Sequence, residues 1–91
     1  MAQVVITFKI MPESPEVDLD VIVTKASKLI YTFGGEVGRV LKEPVGFGLV
    51  ALKLIFVMDE GIGSTESVEA QISELKEVAS VDVTDVRRAI G

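Results

Sequence analysis

An α+β sandwich, one antiparallel sheet of four strands with two helices on one face, is the fold that this chain of 91 residues predicts. Three observations predict it. Val4, Ile6, Phe8 and Ile10 alternate with other residues, the period of a half-buried strand. Leu19, Ile22, Val23, Ala26, Leu29 and Ile30, and later Val68, Ile72 and Leu75, recur at helical spacing. From Phe47 to Met58 apolar side chains stand on both faces, as they do in the middle of a sheet.

In the first strand Gln3, Thr7 and Lys9 take the face opposite the apolar row. Met11 to Pro15 break it. Ser14 is placed to cap a helix, Pro15 fits the first helical position, and Glu16, Asp18 and Asp20 complement the positive end of its dipole. Helix-dipole complementarity accounts for these acids and Glu13 better than a cation site does, because their spacing lacks the oxygen-ligand loop and its glycine. Asp20, Thr24, Ser27, Lys28 and Tyr31 form the outer face, and Gly34-Gly35 ends the helix.

Glu36 to Glu43 reads as a weaker strand, polar along much of its length and so an edge, which Pro44 stops. In the next strand Val50, Leu52, Leu54, Phe56 and Met58 share a face, and Leu49, Ala51, Ile55 and Val57 surround a single Lys53 on the other. Asp59 to Gly63 is a loop. Gly61-Ile62-Gly63-Ser64 has a faint phosphate-loop look but lacks the lysine and the full glycine spacing, so it reads as a turn with a cap, Ser64 or Thr65, for the second helix. Glu66, Glu69, Glu74, Lys76 and Glu77 make that helix's outer face. The last strand begins near Val81 and Val83. Val86 falls on the opposite parity, so the strand either bulges or ends at Thr84-Asp85.

Strand, helix, strand, strand, helix, strand, with right-handed crossovers, gives a ferredoxin-like βαββαβ sandwich whose first and third strands are central. The length suits a single domain over residues 1–91 with one core. Fold alone decides little about function.

Composition narrows the function more. Cysteine and histidine are both absent, which removes disulfides, thiolate metal sites, the commonest zinc ligand and the usual general base. Catalysis by this chain's own side chains is therefore not expected, and no cofactor is implied. A net charge of −5 argues against a general nucleic-acid binder and suits docking to a basic protein face. The longest apolar run, Pro44 to Met58, contains Lys53 and falls short of the roughly 18 apolar residues of a spanning helix. With no signal-peptide pattern at the N-terminus, the expectation is a cytoplasmic protein without a membrane partner.

Glu43 to Leu52, EPVGFGLVAL, is the most informative segment. Gly46 and Gly48 leave Phe47 without side-chain neighbours and permit turn dihedrals. That makes Phe47 an anchor for a partner, or else an ordinary hairpin residue folded inward, the commoner outcome on pattern alone.

Three segments decide between these readings. Met11 to Leu19 (MPESPEVDL), Glu43 to Leu52, and Val83 to Arg88 (VTDVRR), in this order and spacing, resemble the archaeal beta subunit of elongation factor 1 and the exchange domain of its eukaryotic relatives. The resemblance covers nearly the whole chain. It implies a single guanine-nucleotide exchange domain that promotes GDP release from elongation factor 1 alpha, the GTPase that carries aminoacyl-tRNA, by protein contact. It makes Pro44, Gly46, Phe47 and Gly48 one partner-binding group, with Phe47 the aromatic anchor. It makes Thr84, Asp85, Arg87 and Arg88 a second. Eukaryotic relatives place a lysine close to their C-terminus, whereas here no lysine follows Lys76, and Gly91 stands about where it would be. Arg87 or Arg88 supplies that charge from another position, or the archaeal mechanism works without it.

Two rivals belong to other classes. A ligand-binding regulatory domain of the same fold would form a stable homodimer and gain thermal stability from a small metabolite. An RNA-binding sheet would need stacking aromatics on its central strands, yet Phe8 and Phe56 lie in the phase that faces the helices.

Overall fold

The computed structural model describes residues 2–89; Gly91, the position aligned with the lysine of eukaryotic relatives, lies outside the described residues. Its elements run β1 (Gln3–Pro12), α1 (Leu19–Phe33), β2 (Glu36–Gly46), β3 (Leu49–Asp59), α2 (Glu66–Ser73) and β4 (Val78–Ala89). The strands form one antiparallel sheet in the order β2-β3-β1-β4, so the first and third strands are central as predicted. This is the ferredoxin-like α+β sandwich.

The alternation of β1 places Ile6, Phe8 and Ile10 in the core, and β3 adds Leu52, Leu54, Phe56 and Met58. Ile22, Ala26 and Ile30 of α1 and Val68 and Ile72 of α2 close it from above. Leu75 packs against this core just beyond α2, and Val78 completes it. Fully burying each large aliphatic or aromatic side chain contributes about 1.5–3 kcal/mol, so these rows hold the sheet to the helices. On the sheet's open face the central strands carry Val5, Thr7, Lys9, Ala51, Lys53, Ile55 and Val57, with no aromatic among them.

Besides α2, which ends at Ser73 short of the Glu74 to Glu77 stretch expected on it, four boundaries differ from the expectation, each for a local reason. Asp18, not Ser14, caps α1: its carboxylate accepts from the Asp20 amide at 2.9 Å. Ser14 to Val17 form a separate turn, the Val17 amide donating to the Ser14 carbonyl at 3.2 Å. The strand expected to stop at Pro44 continues to Gly46, because an edge strand needs only one hydrogen-bonded side and tolerates the missing N–H. Glu60–Ile62 form one turn of 3-10 helix, closed where the Asp59 carboxylate accepts from the Gly61 amide at 2.7 Å. β4 begins at Val78, earlier than Val81, since Val78 finds Pro12 as a partner.

The parity break at Val86 is a bulge. Phe8 stands opposite Val83 and Thr7 opposite Asp85, which leaves Thr84 as the extra residue. Beyond it Val86 pairs with Ile6 and Arg88 with Val4, on the helix-facing side, while Asp85 and Arg87 take the open face.

Candidate functional site

Gly46 pairs with Leu49, so Phe47 and Gly48 alone turn the chain between β2 and β3. Both have positive φ, 55° and 76°. A two-residue turn of this hand matches the twist of the flanking strands, and it normally carries Asn or Asp followed by Gly. Phe47 is the one described non-glycine residue with positive φ. A bulky side chain there costs roughly 1–2 kcal/mol of backbone strain. Gly46, at φ 106°, follows a register shift that leaves Val45 unpaired and aims the turn.

The ring gains nothing from its own domain: Phe47 is 99% exposed. The inward-folded alternative is therefore not what forms. The turn borders the β1–α1 loop, Gly48 and Pro15 lining a small hollow of about 70 Å³ between them. Behind the turn, on the open face, Glu43 accepts from Lys53 at 3.1 Å, with Lys9 farther off at 3.9 Å. The hydrogen bond and charge of Lys53 hold the Glu43 carboxyl below its ordinary value. An exposed, strained aromatic thus stands on a turn backed by the ion pairs of Glu43.

The second predicted group lies elsewhere. Thr84 is the bulge, Asp85 faces Thr7 at mid-strand, and Arg87 and Arg88 stand opposite Val5 and Val4 near the start of β1. From Leu49 the sheet runs nine strand steps to Met58, the level of Arg88, and six to Ile55, the level of Asp85; at about 3.3 Å a step these are about 30 Å and about 20 Å. The structure brings Pro44, Gly46, Phe47 and Gly48 together, and it sets Asp85 and Arg87 side by side on the open face with Arg88 on the opposite side of the sheet. It does not bring the two groups to one place.

Neither arginine is a free cation. Arg87 forms an ion pair with Asp85 on its own strand, Nε to Oδ2 at 2.8 Å. Arg88 donates from Nε to Glu60 Oε2 and from Nη2 to Glu60 Oε1, both at 2.8 Å. Sequence reading missed Glu60, because it pairs across 28 positions and no local pattern announces such a contact.

Among the described residues no three metal-ligating side chains gather, and no helix is long and apolar enough to cross a membrane.

Comparison with known proteins agrees with the sequence resemblance. Residues 5–89 match the EF-1 guanine nucleotide exchange domain. Elongation factor 1-beta of Methanobrevibacter smithii is 48% identical over 88 residues, covering 97% of this chain and 98% of that protein. Its counterpart in Methanosphaera stadtmanae is 44% identical with the same coverage. That of Methanocaldococcus jannaschii is 35% identical over 89 residues, 98% of this chain and 100% of its own. Among solved structures BlrP1 BLUF superposes with a TM-score of 0.61 at 19% identity, over all of this chain and 57% of that one, a likeness of fold alone.

Proposed function

Since the chain belongs to the EF-1 guanine nucleotide exchange domain family and is a translation elongation exchange factor, we propose that its partner is the GTPase elongation factor 1 alpha and that it accelerates GDP release. It acts as one exchange domain over residues 1–91, in the cytoplasm, by protein contact and not as an enzyme. The observation that carries this reading is Phe47, fully exposed and held at positive φ on this turn. Strain retained at an exposed site points to function, because nothing in the free domain repays it.

The energetics are those of linkage. A GTPase holds GDP through backbone donors, a P-loop lysine and magnesium. A factor that binds the nucleotide-free state better than the GDP-bound state weakens GDP by the same factor by which GDP weakens it. A thousandfold effect needs a coupling of about 4 kcal/mol. Phe47 and its flanking Pro44, Gly46 and Gly48 supply an anchor that fills a pocket of the partner. Thr84, Asp85, Arg87 and Arg88 supply the second contact, about 20 to 30 Å away along the sheet. The sheet between them is rigid, so docking one end forces the other against the GTPase and disturbs its nucleotide site.

The test is release of a fluorescent GDP analogue from archaeal elongation factor 1 alpha, chased with excess unlabelled nucleotide. Acceleration by substoichiometric amounts of this chain is the expected result. No acceleration, with an active GTPase from a matching source, overturns the proposal and returns the ligand-binding regulatory domain.

A further inference from the structure

Arg88 and Glu60 form the best-defined ion pair at the end of the sheet away from Phe47. Glu60 opens the 3-10 turn after β3, and its backbone is pinned, the Glu60 amide donating to the Ala2 carbonyl at 3.0 Å. The next amide, that of Gly61, is held by Asp59. From this pinned backbone the Glu60 carboxylate meets one edge of the Arg88 guanidinium through two hydrogen bonds of 2.8 Å. Arg87 differs, since it has one Nε contact, to a residue on its own strand, and its side chain is 78% exposed.

A guanidinium has five N–H donors. Glu60 occupies the Nε–Nη2 edge, with Nη2 against both of its oxygens, which leaves the Nη1 pair directed away from it. Pairing with Glu60 restricts the orientation of this exposed group, so less rotamer freedom is lost when a partner binds. Beside the pair lies an open cleft of about 390 Å³, floored by Val4, Ile6, Met58 and Val86. Val86 is 59% exposed, so a partner that reaches Arg88 also covers apolar surface.

We infer that Glu60 is a positioning residue for exchange: it presents Arg88, rather than Arg87, as a preset donor to a carboxylate on the GTPase. This rests on the exchange reading above. A carboxylate, not a nucleotide phosphate, is the acceptor that linkage allows. A donor bonded to the phosphates of bound GDP would favour the GDP-bound complex, and by reciprocity it would tighten GDP instead of releasing it.

The experiment uses the whole chain with archaeal elongation factor 1 alpha, following GDP release against factor concentration and binding to the GDP-bound and nucleotide-free GTPase. Arg88→Ala raises the half-saturating concentration about tenfold, the size expected for losing a charged hydrogen-bond pair. Glu60→Gln raises it about threefold and leaves the saturated rate in place, as a loss of orientation should. The charge swap, Glu60→Arg with Arg88→Glu, keeps the pair and the melting temperature but does not restore exchange. Restoration by the swap would show that the pair is only structural and overturn the inference. So would a Glu60→Gln factor that exchanges like wild type. An Arg88→Ala defect confined to the GDP-bound GTPase would place the guanidinium on phosphate and overturn the carboxylate. In each case wild-type exchange and its loss on Phe47→Ala report separately on the exchange reading.

Discussion

Phe8 and Phe56 meet edge to face beneath the helices, ring centroids 4.8 Å apart and planes inclined at 72°. Both are fully buried, on neighbouring central strands. The pair joins the middle of the sheet to the core and leaves its open face without an aromatic. Edge-to-face packing of this kind contributes about 0.5–1.5 kcal/mol beyond the area it buries.

Phe56→Ala should therefore destabilise the fold by about 3–5 kcal/mol through the cavity and the lost ring contact. Urea unfolding measures it. A loss below about 1 kcal/mol would mean that the core collapses around the gap.

Phe47→Asn should separate stability from activity. Asn followed by Gly is the preferred pair for this turn, so relief of the strained phenylalanine should raise stability by about 0.5–1 kcal/mol. The same change removes the anchor and should lower GDP release at least tenfold, the loss of an interface hot spot. A variant equally stable and equally active as wild type would show that neither strain nor ring matters.

The acid limb of stability should involve Glu77. Lys25 Nζ donates to its two oxygens at 2.9 and 3.2 Å, tying α1 to the residue just before β4. That hydrogen bond holds the Glu77 carboxyl below its ordinary value of 4.5. A depressed pKa in the folded state adds stability that is complete above the unfolded value and is lost as pH falls through the folded one. Melting temperatures taken from about pH 7 down to about pH 3 should fall less steeply for Glu77→Gln than for wild type. Parallel curves would remove Glu77 from the account.

Replacing Arg87 and Arg88 together with Ala should slow catalysed GDP release about tenfold or more, with little change in melting temperature, because exposed ion pairs stabilise a fold by about 0–1 kcal/mol. Added salt should weaken the wild-type factor in the same direction. Unchanged release in the double variant would end the case for positive charge at this strand end.

What the sequence disclosed and what it hid divide along a physical line. Periodicity exposed each helix and strand, because burial writes itself as spacing: Val4 to Ile10 and Leu19 to Ile30 needed no partner to be read. Even the bulge at Thr84 showed, as a break in parity at Val86. Competing caps hid the true start of α1, since Ser14-Pro15 and Asp18 both qualify locally and only the fold selects Asp18. Pro44 misled because its tolerance depends on which strand has a neighbour. At the candidate site, the glycines around Phe47 marked a turn, but not whether the ring turned in or out. Contacts distant in sequence, Glu60 with Arg88 and Lys25 with Glu77, left no pattern at all.

The bulge also fixes which residues a change of length can disturb. Thr84 stands outside the pairing frame, so a chain lacking it would keep every later residue of β4 opposite the same partner on β1. Deleting Val86 instead would move Arg87 into its place and interchange the two surfaces from there onward. A deletion is thus silent at Thr84 and inverting at the positions after it. Counting residues past Val83, more than comparing their types, tells whether a related chain carries its arginine on the same side.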